Sequence, residues 1–185
     1  AQKYKIPTFI QEQNSYAGKA NRMLARKVQR IAVAYPNMER YFPAEKIVFT
    51  GNPVREELLR ALPPRDEACA AIGIPAETRN ILVVGGSLGA RKLTEAILDH
   101  AQEIALHPEL TILLQTGAGD FAAMRARVAE SGVKNIVPTA FITRMECAYA
   151  AADLIVSRAG AIAISELCIV AKPVILVPSP YVAED

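Results

Sequence analysis

Short apolar runs rich in Ile, Val and Leu, each bounded by turn residues, recur along the chain at 6–10, 29–34, 46–49, 81–85, 111–116, 134–138, 153–156 and 174–178. Runs of this length with this composition predict strands. The stretches between them carry a longer period. Leu93, Ile97, Leu98, Ala101 and Ile104 make one apolar helical stripe, Phe121, Met124 and Val128 make another, and two further helices fit at 143–152 and 161–171. From residue 81 the predicted order is β-α-β-α-β-α-β-α-β, with strands apolar enough to be covered on both faces. That is a doubly wound α/β domain on a parallel sheet. Residues 1–50 repeat the same style in shorter form, and 51–80, with Pro53, Pro63, Pro64 and Pro75, interrupts the two. The joint is therefore placed there, giving 1–52 as the end of one α/β lobe and 53–185 as a second.

Two of the strands break into small residues before a helix. In Gly85-Gly-Ser-Leu-Gly-Ala90 the glycines allow backbone to approach a ligand, and Ser87 can cap the helix or meet a phosphate oxygen. A tight structural turn explains the same residues, and neither the GxGxxG spacing nor a Gly-Lys-Ser/Thr phosphate loop is present. The second turn, at Ala159-Gly-Ala161, opens a helix that carries Glu166, and both turns are expected on one edge of the sheet. Helix N-termini there can hold phosphate, and a carboxylate so placed can accept both hydroxyls of a ribose. The plainer reading of Glu166 is a favourable place in the helix dipole.

Three other segments carry candidate chemistry. Gln11-Glu-Gln-Asn-Ser-Tyr-Ala-Gly18 follows the first strand and offers amides, which donate and accept at once and so suit sugar hydroxyls in a cleft between lobes; a solvated polar loop is the alternative. Gly51-Asn-Pro-Val-Arg55 sets a turn and an arginine at the joint, where Arg55 can reach a nucleotide or form a salt bridge. Lys19, Arg22, Arg26 and Arg30 fall on one side of an expected helix with Ala20, Met23, Leu24 and Val28 on the other. Such a stripe could rest on anionic headgroups or be a solvated face.

Composition narrows the classes. The 185 residues are 51% hydrophobic and 22% charged, an ordinary globular mixture, and a net charge of +2 gives no case for nucleic acid. Cys69, Cys147 and Cys168 lack metal-ligand spacing and read as buried or incidental thiols of a reducing cytoplasm. No apolar run approaches a membrane span, so any membrane association would be peripheral. No Asp-x-Asp occurs, so neither a metal nor another cofactor is expected.

Taken in order, Gln11-Glu-Gln-Asn14 with Ala17-Gly18, Gly51-Asn-Pro-Val-Arg55, Gly85-Gly-Ser-Leu-Gly-Ala-Arg91, Phe141-Ile142 and Ser157-Arg-Ala-Gly-Ala161 with Ser165-Glu166 closely resemble the MurG family. These are the bacterial transferases that move GlcNAc from UDP-GlcNAc to undecaprenyl-pyrophosphoryl-MurNAc-pentapeptide in peptidoglycan synthesis. The resemblance implies a B-type glycosyltransferase fold, an inverting hexosyltransferase, and a peripheral location on the cytoplasmic face of the inner membrane. Carried over residue by residue, it implies that Asn14 touches the donor sugar, Arg55 the nucleotide end and Ser87 a phosphate. Ile142 would bond uracil through its main chain, and Ala161, Ile162, Ala163, Ile164 and Ser165 would present N–H groups to the diphosphate and sugar. Glu166 would hold the ribose. Gln11 departs from the histidine usual in the family. The family's glycine-rich first loop, with its acceptor contacts and candidate general base, and its later Gln-rich sugar motif have no match here. The chain is thus expected to be a donor-binding fragment, inactive by itself. The alternatives are a UDP-sugar-binding subunit, another B-type glycosyltransferase or a UDP-sugar epimerase.

Overall fold

A computed structural model describes Tyr4, residues 6–86 and residues 90–179. The chain divides into two compact units, one running up to Val54 and one from Arg55.

In the first unit, β1 (Phe9–Glu12), β2 (Arg30–Val33) and β3 (Ile47–Phe49) form a parallel sheet in that order. Ile31 and Val33 of β2 point into a core with Ala17, Ala25, Val28, Met38 and Phe42. The expected helical stripe of basic residues is not there. Helix α1 (Lys19–Leu24) stops after six residues, Arg26 lies in the turn beyond it, and Arg30 opens β2. The cause is the sheet. Gln29 already donates its N–H to Thr8 O at 2.9 Å, so the chain must leave the helix for Ala25 and Val28 to reach the core beside Ile31. Ala20, Met23 and Leu24, expected on the buried side, are exposed.

The second unit contains α2 (Arg65–Ile72), β4 (Arg79–Val84), α3 (Arg91–Asp99), α4 (Ala101–Ala105), β5 (Leu110–Gln115), α5 (Phe121–Ser131), β6 (Ile136–Thr139), α6 (Met145–Ala151), β7 (Leu154–Arg158), α7 (Ala161–Val170) and β8 (Val174–Val177). Its five strands are all parallel in the order β6-β5-β4-β7-β8. Alternation along β4 sends Leu82 and Val84 to one face, with Ala148, Tyr149, Ile155 and Leu167, and Val83 to the other, with Leu98, Ile112, Leu114 and Met124. Both faces are therefore covered, as a parallel sheet requires.

Two differences from expectation have local causes. The single helix drawn through Leu93 to Ile104 is broken at His100, but its apolar stripe still packs continuously on the core. Helix α2 falls inside the stretch read as a joint. Pro64 begins it, Asp66 and Glu67 occupy its first turn, and Gly73 ends it in the left-handed region at φ 72°. These are ordinary start and stop signals, and Ala68 and Cys69 bury its inner side. Cys69 and Cys147 are free buried thiols, pushed to higher pKa chiefly by desolvation, whereas Cys168 is exposed. Among the described residues no helix is long and apolar enough to cross a membrane.

Candidate functional site

Strand order reverses direction between β4 and β7. From β4 the chain builds outward through β5 to β6, then returns to lay β7 on the other side of β4 and β8 beyond it. Open parallel sheets bind ligands at the carboxyl ends of the strands where this reversal occurs. Val84 pairs with Ser157, so the two small-residue turns picked from sequence leave the ends of neighbouring strands.

At the first turn Gly86 has φ +84°, a left-handed value at which a side chain is strained. Its carbonyl accepts a 2.8 Å bond from Nε2 of Gln115, a buried side chain at the end of β5. Gln115 was not selected from sequence, although an amide closing the apolar run Leu110 to Leu114 is the signal that could have found it. Ser87, with Leu88 and Gly89, lies outside the described residues.

At the second turn Gly160 caps α7, and the first intrahelical bond runs from Ile164 N–H to Gly160 O at 2.9 Å. Helix geometry supplies intrahelical acceptors from that residue onward. The run expected to present N–H groups, Ala161 to Ser165, begins in this first turn. Ala161, Ile162 and Ala163 precede the first intrahelical bond, Ile164 has its N–H engaged, and the Ser165 hydroxyl donates back to Ala161 O at 2.9 Å.

Glu166 is the sixth residue of α7 and only 3% exposed. Dipole effects fade within the first turn, so the dipole is a poor reason for a buried carboxylate here. Its partners are specific. The Arg55 guanidinium donates to both carboxylate oxygens, and the Tyr149 hydroxyl donates to Oε2 at 3.2 Å. Two residues chosen independently from sequence, on either side of most of this unit, are thus brought into contact. Tyr149, missed from sequence, lies on the alanine-rich α6; burial first, then the Glu166 charge, pushes its phenol well above the ordinary value. It therefore remains a donor across the neutral range.

Phe141 and Ile142 follow β6. Phe141 is exposed and Ile142 buried, and both line a 300 Å³ cavity with Pro138, Thr139, Thr143 and Arg144. The Phe141 carbonyl accepts from the Thr139 hydroxyl at 3.3 Å.

In the first unit the loop after β1 is held rather than merely solvated. Buried Glu12 accepts from the N–H groups of Asn14 at 3.1 Å and Gly18 at 2.8 Å and from Asn21 Nδ2 at 3.0 Å. Asn52 Nδ2 donates to Gln13 O at 3.1 Å, and Arg40 donates to Ser15 O at 2.9 Å while stacking on Tyr41. The half-buried Asn14 sits on this framework, and Gln11 accepts from Gln13 Nε2 at 3.3 Å.

Residues 80–185 match the glycosyltransferase family 28 C-terminal domain. The chain is 50% identical over 181 residues to the UDP-N-acetylglucosamine--N-acetylmuramyl-(pentapeptide) pyrophosphoryl-undecaprenol N-acetylglucosamine transferase of Bacteroides fragilis, covering 97% of this chain and 48% of that protein. Its counterpart in Parabacteroides distasonis is 49% identical, with 97% of this chain and 49% of the relative covered. The crystal structure of Acinetobacter baumannii MurG superposes with a TM-score of 0.65 at 32% identity, over 99% of this chain and 49% of that one. A UDP-GlcNAc 2-epimerase from Neisseria meningitidis, at TM-score 0.64 and 19% identity over 94% of this chain and 53% of its own, shares the fold alone. The chain spans about half the length of the curated relatives it matches. Its architecture is that of B-type glycosyltransferases, and the chain belongs to glycosyltransferase family 28.

Proposed function

We propose that this chain is the donor-binding part of an inverting N-acetylglucosaminyltransferase that moves GlcNAc from UDP-GlcNAc to undecaprenyl-pyrophosphoryl-MurNAc-pentapeptide. The observation that carries this reading is the buried Glu166 carboxylate, held by Arg55 and Tyr149 on the helix that leaves the second small-residue turn. The names of relatives at about half identity supply the sugar and the acceptor.

In this reading Glu166 accepts the ribose hydroxyls and the Ile142 main chain meets uracil beside the cavity after β6. Ser87 and the first N–H groups of α7, at Ala161, Ile162 and Ala163, hold the diphosphate. Ile164 and Ser165 then shape the turn that carries them, Arg55 moves to the nucleotide end, and Asn14 touches the sugar from its braced loop. Displacement at the sugar carbon makes UDP the leaving group, and oriented N–H dipoles stabilise the charge that develops on it. The acceptor hydroxyl needs a general base, which this reading assigns to no residue of the chain. A peripheral place on the cytoplasmic face of the inner membrane fits the exposed Met23 and Leu24 beside Lys19, Arg22 and Arg26.

Calorimetric titration with UDP, UDP-GlcNAc, ADP and NAD tests the assignment. UDP and UDP-GlcNAc are expected to bind more tightly than the other two, and equal affinity for ADP and UDP would remove uridine. Glu166→Ala is expected to weaken UDP binding by about 1–3 kcal/mol, the usual loss for a partner in charge-assisted hydrogen bonds. Unchanged binding by the folded variant would return Glu166 to a structural role.

A further inference from the structure

The two partners of Glu166 are built very differently. Arg55 reaches the carboxylate from a loop, and its side chain is 47% exposed. Tyr149 is 2% exposed, within the cluster that includes Leu82, Val84, Ile155 and Leu167. The helix beneath it is pinned at its C-terminal end. Lys172 Nζ donates to Ala150 O and Ala152 O, both at 2.6 Å, and Arg65 donates to Ala151 O at 2.9 Å. Arg65 is held in turn by both oxygens of Asp153, each at 3.0 Å. The position of the Tyr149 hydroxyl is therefore fixed by packing and by helix anchoring, whereas Arg55 comes from a loop with about half of its side chain open to solvent.

A carboxylate offers about four lone-pair sites. Arg55 and Tyr149 fill most of them, so a vicinal diol can be accepted only where Arg55 yields. Once it does, the carboxylate is buried without its cation, and a buried charge without partners is costly. From this arrangement we infer that Tyr149 is a positioning residue for recognition of the ribose diol: it keeps one oxygen of Glu166 bonded and its rotamer fixed while Arg55 moves away to the ligand. The inference rests on the proposed ribose role of Glu166.

The test titrates UDP and 2′,3′-dideoxy-UDP into the unmodified chain, Tyr149→Phe, Glu166→Ala and the double variant. Tyr149→Phe is expected to weaken UDP about fivefold, the lower range for a hydrogen bond to a charged group offset by its loss in the free state. It should leave dideoxy-UDP unchanged, which also reports that the variant is folded. In the Glu166→Ala background the same substitution should change neither affinity by as much as twofold. Equal losses for the two nucleotides, or no loss for either, would overturn the positioning role and leave Tyr149 as packing. If Glu166→Ala affects UDP and dideoxy-UDP alike, the ribose assignment itself falls. If Glu166→Ala discriminates between them and Tyr149→Phe does not, only the present inference falls.

Discussion

Replacing Glu12 by alanine removes the acceptor of three donors at once, from Asn14, Gly18 and Asn21. A hydrogen bond to a charged group contributes about 1.5–3 kcal/mol net, and a donor stranded in the interior costs about 1–3 kcal/mol. The three are not additive here. Asn21 Nδ2 keeps a second acceptor in Gln11 O at 2.9 Å, and Asn14 is half-buried, so water can replace part of what is lost. The expected loss is about 3–4 kcal/mol for Glu12→Ala. Glu12→Gln should cost about 2 kcal/mol, since its amide retains one oxygen and turns an NH₂ toward the remaining donor. The first unit ends at Val54, and a domain of that size has about 3–8 kcal/mol of stability in total. The alanine variant should therefore bring it close to unfolding, with the glutamine variant intermediate. Urea unfolding gives the free energies, and amide hydrogen exchange over residues 11–18 reports the loop directly. An alanine variant that unfolds within 1 kcal/mol of the unmodified chain, with Asn14 and Gly18 exchanging no faster, would refute the claim that Glu12 organises this loop.

Two glycines of the motifs should answer alanine oppositely. Gly18 has φ −59°, and a Cβ there meets nothing closer than Glu12 Oε2 at 3.7 Å, so Gly18→Ala is expected to be neutral or stabilising by up to about 1 kcal/mol. Gly86→Ala, at φ +84°, should cost about 1–2 kcal/mol; denaturant midpoints reversing that order would contradict the backbone argument. Because the Tyr149 phenol titrates higher folded than unfolded, its contribution is complete below pH about 10 and is lost as pH climbs above that. The alkaline fall in unfolding free energy should be smaller in Tyr149→Phe, and identical alkaline limbs would count against the raised phenol. On the proposal that helix N-termini hold the diphosphate, UDP affinity should change less than twofold on adding EDTA; a tenfold loss would reveal a bridging cation.

The parallel sheet and the common edge of the two turns were legible because buried parallel strands read as near-continuous Ile, Val and Leu, and because small residues mark where backbone turns tightly; the strand order that makes the edge a switch point was not. The α1 stripe misled for a definite reason. Lys19, Arg22 and Arg26 keep helical spacing whether or not the helix lasts, and only the bond from Gln29 to Thr8 O, a long-range fact, decides where it ends. Helix α2 had its own signals in Pro64 and Gly73, but four prolines in that stretch drew the reading toward a joint. In the site, Arg55 and Glu166 were visible as charged residues in special company, yet their pairing was not, since no local pattern links residues so far apart. Tyr149 and Gln115 were invisible for the converse reason: one sits in a helix of alanines, the other closes an apolar strand, and each matters through a single hydrogen bond.

The strand order also dictates a sequence of events in time. Strands β4, β5 and β6 are consecutive and can assemble into half a sheet as soon as the chain has passed Thr139, with helices α3 to α5 on one face. The other edge of β4 then stays open until β7 has been made, because Ile81 finds Leu154 only across everything between them. Such long-range parallel pairing closes slowly and leaves a strand edge able to recruit the wrong partner meanwhile. The two turns at the switch point flank that seam. The candidate binding site is therefore among the last parts of this unit to exist during folding, and a ligand gripping both sides of the seam would hold together the join that forms latest.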